Sequence, residues 1–294
     1  MPHTPVRTFL LAAVAPLVWA TTYIITEKFL PPDRPMFAAL MRALPMGLVL
    51  LAWRRTLPPP GWWGKAVVLG MLNIGLFFPL IFLSAYGLPG GLAATVQALL
   101  PLVVMLLAWL MIGERAGALR LAGGLVGFAG VTMLVFGTTT GVTALGLFGA
   151  FASVASTAVG AVLIKRWAPP VDSLTLVSWQ LVVGGLFLLP VSFALEGAPP
   201  TIDLAAAAGY LWIGVMGTGV AYWCWFTALR ALPAGSVALI SLVNPVFATI
   251  LGIAFAQEAF GWPQAVGMVL VVGGVLMGQF APRRAVAARL GGGS

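Results

Sequence analysis

The sequence predicts an all-α polytopic membrane protein, with ten transmembrane helices in two inverted-topology five-helix repeats and both termini in the cytoplasm. Three observations predict it: little charge, ten long apolar segments, and a match between the two halves of the chain. Hydrophobic residues fill 61% of the 294 positions and charged residues 7%, against about 25% charged residues in soluble domains. A soluble globular protein is therefore excluded, and a chain with this much apolar surface to bury is not disordered.

Each of the ten apolar segments has about 20 residues, the length that crosses a hydrocarbon core of about 30 Å as a helix. They run over 8–28, 35–53, 65–85, 91–112, 118–137, 143–164, 173–195, 204–227, 233–256 and 263–281. The segments are much longer than the roughly 10-residue alternating strands of an outer-membrane barrel. The first one follows Arg7 without a clear cleavage site after it, so we interpret it as a retained helix rather than a signal peptide.

Basic residues set the orientation. With ten spans both termini share a side, and twelve of the fifteen Lys and Arg residues fall on that side. They are Arg7, Arg54, Arg55, Lys65, Arg115, Arg120, Lys165, Arg166, Arg230, Arg283, Arg284 and Arg289. The positive-inside rule makes this side cytoplasmic. The short loops offer no folded polar face for nucleic acid, so the net charge of +8 is topogenic.

The two halves of the chain match at a spacing of 144 residues. Prolines, glycines and a glutamate coincide: Pro89, Pro101, Glu114, Gly123 and Gly130 fall on Pro233, Pro245, Glu258, Gly267 and Gly274. Earlier in each half the spacing is 138 residues, where Leu30-Pro31-Pro32-Asp33 resembles Ala168-Pro169-Pro170-Val171-Asp172. We therefore divide the chain into a first repeat at 1–141, a second at 142–281, and a cytoplasmic basic tail at 282–294 that ends in a linker-like Gly-Gly-Gly-Ser.

Five spans per repeat mean that the second repeat enters the membrane from the opposite side. Inverted repeats are typical of secondary transporters, which bind substrate near the midplane between the repeats. The pattern favours transport, although a duplicated membrane scaffold remains the alternative. A channel would need a continuous polar or charged ring, whereas these spans carry isolated polar groups.

Several motifs carry a family resemblance. The motifs that carry this resemblance are Trp19-Ala20-Thr21-Thr22-Tyr23 in span one, Arg42 in span two, Gly113-Glu114-Arg115 after span four and Asn244-Pro245 in span nine. With them the chain resembles the drug/metabolite transporter superfamily in its ten-span form with two EamA-type halves. Within it the chain is most similar to YddG-type exporters of aromatic amino acids. The resemblance implies a multi-pass protein of the inner membrane that exports small organic metabolites, with amino acids and especially aromatic ones favoured. One departure is Gln257, where the first half has Gly113 before the glutamate.

The residues needed for catalysis or metal binding are scarce. The only histidine is His3 and the only cysteine is Cys224, so no disulfide framework or Cys/His metal site is predicted. A Ser–His protease or an aspartyl dyad would need groups that the spans lack. We therefore predict no enzyme activity, no catalytic residue and no cofactor. The expected partners are a small-molecule substrate and the lipid bilayer, and the sequence leaves a monomer and a homodimer equally open.

Prolines interrupt spans four and nine at the same depth. Pro101 and Pro245 each lack a backbone N–H and free the carbonyl four residues earlier, at Gln97 and Ser241. A freed carbonyl in hydrocarbon is tolerated against protein or a water-lined cavity. We predict two kinked helices around a midplane cavity lined by Gln97, Ser241 and Asn244. The alternative is that the kinks only shape the helices for packing.

Aromatic and amide side chains lie in the spans around this depth. The candidates for stacking on an aromatic substrate are Trp19, Tyr23, Phe78 and Tyr222, with Asn73 as a polar neighbour. The alternative for any single ring is contact with lipid or an interfacial belt.

Arg42 is the only charge well inside a span, and a buried cation is a functional hypothesis by default. It could bind a substrate carboxylate with two hydrogen bonds, or it could instead cap a helix or reach outward to the interface. The residue at the equivalent position of the second half is Gln180, so the site is not symmetric in charge.

The carboxylates lie near span ends rather than within spans. Proton antiport through a central site usually needs an intramembrane carboxylate or histidine. We therefore predict facilitated rather than proton-driven transport, with Glu114 and Glu258 as helix caps or pairing partners. Proton or sodium coupling remains the alternative. Glycine stripes at 123, 127 and 130 and at 267, 274 and 278 are predicted to pack helices closely.

Overall fold

The computed structural model describes residues 5–88, 90–134, 142–256 and 261–280, and these ranges form helices and short connections without a strand. The first half contains α1 Pro5–Phe29, α2 Pro35–Arg54, α3 Trp63–Gly70, π1 Met71–Gly75, α4 Phe77–Gly87, α5 Gly90–Gln97, α6 Leu100–Ile112 and α7 Ala118–Leu134. The second half contains α8 Ala144–Trp167, α9 Ser173–Glu196, α10 Leu204–Gly214, π2 Val215–Val220, α11 Ala221–Ala231, α12 Ala234–Ile240, α13 Val243–Ala256 and α14 Trp262–Phe280.

Nine helical segments in the described ranges are long and apolar enough to cross a membrane. They are Arg7–Thr26, Pro35–Arg54, Trp63–Ser84, Ala93–Ile112, Ala144–Trp167, Ser173–Glu196, Leu204–Ala231, Ala234–Phe255 and Trp262–Gln279. The tenth predicted span, 118–137, is represented by the shorter apolar helix Ala118–Leu134, and residues 135–141 lie outside the described ranges. The all-helical fold is therefore confirmed in the described residues, with nine candidate spans and one further apolar helix whose predicted end lies outside them.

Spans three and eight each contain a π-helical segment that the sequence pattern did not predict. The segment π1 separates α3 from α4, and π2 separates α10 from α11. Their first residues, Met71 and Val215, are 144 positions apart, the spacing at which the halves match. A π turn widens the helix and is frequently found at functional sites.

Spans four and nine are interrupted just before their prolines. The helix α5 ends at Gln97 and α6 begins at Leu100, while α12 ends at Ile240 and α13 begins at Val243. Pro101 and Pro245 lie in the first turn of the following helices, where the missing N–H costs no intrahelical hydrogen bond. The carbonyl that Pro245 frees, at Ser241, accepts a hydrogen bond from the Asn244 backbone N–H at 3.0 Å.

Two pairs of long helices join the halves at glycines. A methyl group added at Gly267 of α14 would lie 2.7 Å from the Gly130 carbonyl oxygen of α7. A methyl group at Gly185 of α9 would lie 2.7 Å from the Leu44 Cβ of α2. Only glycine allows backbones this close, so the stripes on α7 and α14 pack against each other within one chain.

Hydrogen bonds fasten both ends of the α2–α9 pair. At one end Asp172 caps α9, its Oδ1 accepting from the Leu174 N–H at 3.0 Å, and its Oδ2 pairs with Arg54 Nη2 at 2.5 Å. At the other end the Glu196 carboxylate accepts from the N–H groups of Met36 and Phe37 at the start of α2, at 2.5 and 2.9 Å. Charged caps of this kind satisfy helix-terminal N–H groups and fix the register of the pair.

Candidate functional site

The local structure of π2 creates the polar surface of the candidate site. Two glycines, Gly217 and Gly219, lie in this six-residue segment, where small residues permit close approach by neighbouring helices. Thr218 is fully buried, and its hydroxyl donates to the Ile213 carbonyl five residues earlier at 2.9 Å. This bond commits the hydroxyl proton and directs the oxygen lone pairs towards α2.

Arg42 of α2 binds this segment through two nitrogens. Its Nε donates to Thr218 Oγ1 at 3.1 Å and its Nη2 donates to the Gly217 carbonyl at 3.1 Å. The guanidinium carbon also lies 4.7 Å from the centre of the Phe78 ring of α4, which is cation–π geometry. The cation is therefore held between backbone, hydroxyl and ring, inside the bundle.

Trp19 of α1 binds the same carbonyl. Its indole Nε1 donates to the Gly217 oxygen at 2.9 Å, and its ring contacts Tyr222 edge-on with centroids 5.4 Å apart. Trp225 lies 5.5 Å from Trp19 on another side. These separations are typical of stabilising aromatic pairs. We call Trp19, Arg42, Phe78, Gly217, Thr218, Tyr222 and Trp225 the arginine–aromatic cluster.

The arginine–aromatic cluster unites four of the predicted site residues, Trp19, Arg42, Phe78 and Tyr222. Sequence reasoning missed Gly217, Thr218 and Trp225 in the same place. A signal was available for Thr218, because a threonine between two glycines in an apolar span combines a polar group with close backbone approach. Chemically, the cluster offers a fixed cation beside several ring faces.

The remaining predicted site residues bind other parts of the bundle. Asn73 Nδ2 donates to Gln180 Oε1 at 2.7 Å, and Gln97 Nε2 donates to Ser153 Oγ at 2.6 Å. The Asn244 amide donates to the Pro16 carbonyl of α1 at 3.0 Å. Ser241 Oγ donates to the Ala238 carbonyl within its own turn at 2.6 Å. Tyr23 lies on α1, but its side chain is outside the described part of the structure.

Glu114 joins the two halves at a span end. Its Oε2 pairs with Lys165 Nζ of α8 at 2.6 Å, and its Oε1 accepts from the Ala234 N–H at the start of α12 at 2.7 Å. Lys165 also donates to the Leu232 carbonyl at 2.9 Å. Glu114 therefore both caps a helix and forms an ion pair. Its counterpart Glu258 lies outside the described residues.

In the part of the chain that the structure describes, no group of three or more His, Cys, Asp or Glu side chains comes together. The cluster's polar groups are instead a guanidinium, a hydroxyl, a backbone carbonyl and an indole N–H, which suit an organic ligand with a carboxylate and a ring.

Comparison with known proteins agrees with this organisation. The model of the EamA-like transporter family matches twice, over residues 6–136 and 144–278. Protein PecM of Dickeya dadantii is 38% identical over 91% of each chain. A probable amino-acid metabolite efflux pump of Salmonella typhimurium is 25% identical over 96% of this chain and 98% of its own.

A solved crystal structure shares the fold. It matches with a TM-score of 0.80 at 21% identity, covering 92% of this chain and 96% of that one. At this identity the likeness concerns fold alone, whereas the family matches cover nearly all of both halves. The chain therefore belongs to the EamA-like transporter family of the drug/metabolite transporter superfamily, and it is a multi-pass membrane transporter.

Proposed function

We propose that this protein is an inner-membrane exporter of small organic metabolites, that amino acids are among them, and that aromatic ones are favoured. Transport proceeds by alternating access around a site between the halves, downhill and without obligatory ion exchange. Membership in a transporter family favours this over catalysis. The name of one relative, a probable amino-acid metabolite efflux pump, supports the substrate class.

One observation carries the proposal: the arginine–aromatic cluster is built from both halves. Trp19, Arg42 and Phe78 come from the first half, and π2 with Tyr222 comes from the second. An amino-acid carboxylate binds a guanidinium by charge-assisted hydrogen bonds, and an aromatic side chain gains about 0.5–1.5 kcal/mol from well-placed ring contacts. A ligand at this point contacts both halves, so its binding responds to their relative movement.

Support for inverted halves comes from the glycine contacts. Gly123 contacts Gly274, and Gly130 contacts Gly267. At the 144-residue spacing Gly123 corresponds to Gly267 and Gly130 to Gly274. Replacing each residue of the Gly123–Gly274 contact by its counterpart in the other half therefore gives the Gly130–Gly267 contact. Exchanged pairs are the signature of two-fold symmetry, and a two-fold axis between antiparallel helices in a membrane lies in the membrane plane.

Substrate counterflow in proteoliposomes tests the proposal. Vesicles loaded with unlabelled phenylalanine should accumulate external labelled phenylalanine transiently, and Arg42→Gln should abolish this exchange. Leucine should compete more weakly than phenylalanine, and the labelled compound should be recovered chemically unchanged. Leakage without exchange would indicate a pore, and alteration of the compound would indicate an enzyme.

Ion coupling is the second candidate, and a pH step separates it from facilitation. The carboxylates described here lie at or near helix ends, where Glu114, Asp172, Glu196 and Asp203 bind helix N-termini. These carboxylates are already engaged as hydrogen-bond acceptors for backbone N–H groups at helix ends. With equal substrate on both sides, a step of two pH units should therefore cause no net movement. Accumulation that a protonophore abolishes would overturn facilitation and make Glu114 and Glu258 the first residues to mutate.

A further inference from the structure

Two hydrogen bonds orient the guanidinium of Arg42 towards π2. Its Nε and Nη2 both donate into this segment, to Thr218 Oγ1 and to the Gly217 oxygen. Two bonds to adjacent residues of one segment fix the plane of the guanidinium, which a single bond would leave free to rotate. The two acceptors, Thr218 Oγ1 and the Gly217 oxygen, differ in how readily a ligand can replace them.

Gly217 and Thr218 play different parts in this arrangement. The Gly217 oxygen also accepts from the Trp19 indole, so it keeps a donor when Arg42 Nη2 turns to another acceptor. Thr218 differs: its proton binds the Ile213 carbonyl, and among the described residues Arg42 Nε is the donor that its oxygen accepts from. A carboxylate accepts charge-assisted bonds that are about twice as strong as neutral ones. It can thus replace the Gly217 carbonyl at Nη2 while Thr218 continues to hold Nε.

The residues at the equivalent positions of the other half of the chain provide an internal comparison. Arg42 corresponds to Gln180 at the 138-residue spacing, and Gly217 and Thr218 correspond to Asn73 and Ile74 at the 144-residue spacing. Asn73 and Gln180 also bind each other, and they are 5% and 0% exposed. The fold therefore brings these positions together in both halves, but only one contact carries a charge and a hydroxyl.

We infer that Thr218 is the positioning residue that makes Arg42 selective for a carboxylate, with one such anion-receiving position per molecule. This assignment rests on the proposed function, since it specifies how the same site recognises its substrate. The ligand class is a small carboxylate whose apolar or aromatic remainder contacts the neighbouring rings. The neutral Asn73–Gln180 pair, sealed inside the bundle, receives none.

Selectivity between phenylalanine and phenylalaninamide measures the role of Thr218 directly. The two compounds differ in the carboxylate alone, so the ratio of their KM values in counterflow reports on recognition of the charge. Thr218→Val removes the hydroxyl at nearly constant volume and should raise the KM for phenylalanine about tenfold, the loss expected for one hydrogen bond to a charged group. The KM for the amide should change less than twofold. Thr218→Ser keeps the hydroxyl and should restore the wild-type ratio.

Thr227→Val is the matched control. It makes the same substitution in the same span, at a buried hydroxyl for which the described residues provide no hydrogen-bond partner. It should leave the KM ratio unchanged. Elution volume and Tm in detergent identify any variant that does not fold, and Thr218→Ala then tests the same loss.

The possible failures are distinguishable. A wild-type protein that exchanges neither compound overturns the proposed transport of aromatic amino acids. A wild-type protein that exchanges both equally is still a transporter, but it overturns the carboxylate selectivity of Arg42 and with it this inference. A wild-type protein that prefers the acid, together with a Thr218→Val variant that keeps this preference, overturns only the positioning role. If neither Thr218→Val nor Thr218→Ala folds, the hydroxyl serves stability and the inference is wrong.

Discussion

The Gly217 carbonyl accepts from two side chains on two helices, and a single residue thereby connects α1, α2 and π2. Removal of either donor leaves the Gly217 carbonyl with one hydrogen bond instead of two, and the net contribution of one hydrogen bond is about 1 kcal/mol. Substitutions that remove a single polar atom at this point should therefore change transport measurably.

Trp19→Phe is the smallest test of this connection. It keeps a ring against Tyr222 but removes the N–H that binds Gly217, and we expect the KM for an aromatic amino acid to rise about fivefold, as for loss of one hydrogen bond of about 1 kcal/mol. Trp212→Phe is the matched control, because the Trp212 indole also donates to α1, at Thr21 Oγ1, and neither Trp212 nor Thr21 belongs to the cluster. An equal effect of both variants on the KM would contradict a specific role for Trp19.

Asp172 makes stability depend on pH at a single residue. Partial burial raises the pKa of its carboxyl, but the hydrogen bonds from Thr175 and Arg54 outweigh this and hold the pKa below its ordinary value. A lowered pKa stabilises the folded protein above the ordinary pKa of aspartate, and this contribution is lost as pH falls through the lowered value. Asp172→Asn should therefore reduce Tm at pH 7, and this difference from the wild type should become smaller as pH falls below the ordinary pKa of aspartate.

The expected decrease in Tm at pH 7 is small, about 1–2 °C, because the Arg54–Asp172 pair is about half exposed and such pairs contribute less than about 1 kcal/mol. Differential scanning fluorimetry across this pH range measures it. Arg54→Gln should reproduce the profile, and a loss of Tm that is the same at pH 3 and pH 7 would show that capping, rather than charge, is responsible.

At the scale of elements, the two broken helices set the shape of the region between the halves. The breaks lie at equivalent depth before Pro101 and Pro245, and the amides beside them bind the first span of the opposite half. We expect the Pro101→Ala, Pro245→Ala double variant to form more regular helices, to express well, and to transport more slowly. Counterflow rate at matched protein density is the measurement, and an undiminished rate would show that the breaks only assist packing.

The helix pair α7–α14 depends on its glycines. Gly267→Ala should push the backbones apart and destabilise the protein by about 1–3 kcal/mol, the usual cost of overpacking, because the added methyl group would lie 2.7 Å from the Gly130 oxygen. Gly273→Ala on the same helix is the control, since its methyl group would meet nothing within 4 Å and alanine favours a helix over glycine. Thermal unfolding in detergent should separate the two variants, and equal Tm values would contradict the close contact.

The sequence predicted elements better than it predicted their irregularities. Span length, proline positions and the self-match identified the helices and their breaks, because these depend on local composition. It missed π1 and π2, because a widened turn inside an apolar helix has no local signal and is stabilised by contacts from other spans, such as Trp19 with Gly217. Arg42 and the aromatic residues could be identified as candidates from the sequence because they are rare polar or large groups within spans. Which of them contact each other depends on the packing of the helices and could not be predicted from the sequence.

At the scale of the whole molecule, two sets of polar contacts near span ends join the two halves. Glu114 ties the end of α6 to Lys165 and the start of α12, and Lys28 at the end of α1 donates to the Phe255 carbonyl of α13 at 3.1 Å. In the proposed inverted arrangement these contacts lie on opposite membrane faces. Alternating access would then loosen one while it keeps the other.

Cysteine labelling tests the arrangement. In a Cys224→Ala background, because the native thiol is free, the substitutions Leu57→Cys and Ala287→Cys should react with an impermeant maleimide only after the membrane is opened. Pro199→Cys should react in intact cells, as expected from the positive-inside rule. Position 287 lies outside the described residues, but the prediction concerns only its side of the membrane. Labelling of positions 199 and 287 from one side would exclude five-plus-five inversion.

The close glycine contacts of the α2–α9 and α7–α14 pairs also have a consequence for biosynthesis. The helices α2 and α7 find their partners, α9 and α14, only in the second half of the chain, so the first half leaves the ribosome with its closest-packing faces uncovered. At ordinary translation rates this interval lasts on the order of ten seconds. During it the nascent helices are vulnerable to premature association with other proteins in the bilayer. Because α7 is covered only when α14 is inserted, we expect changes in α14 to affect maturation of the whole polypeptide.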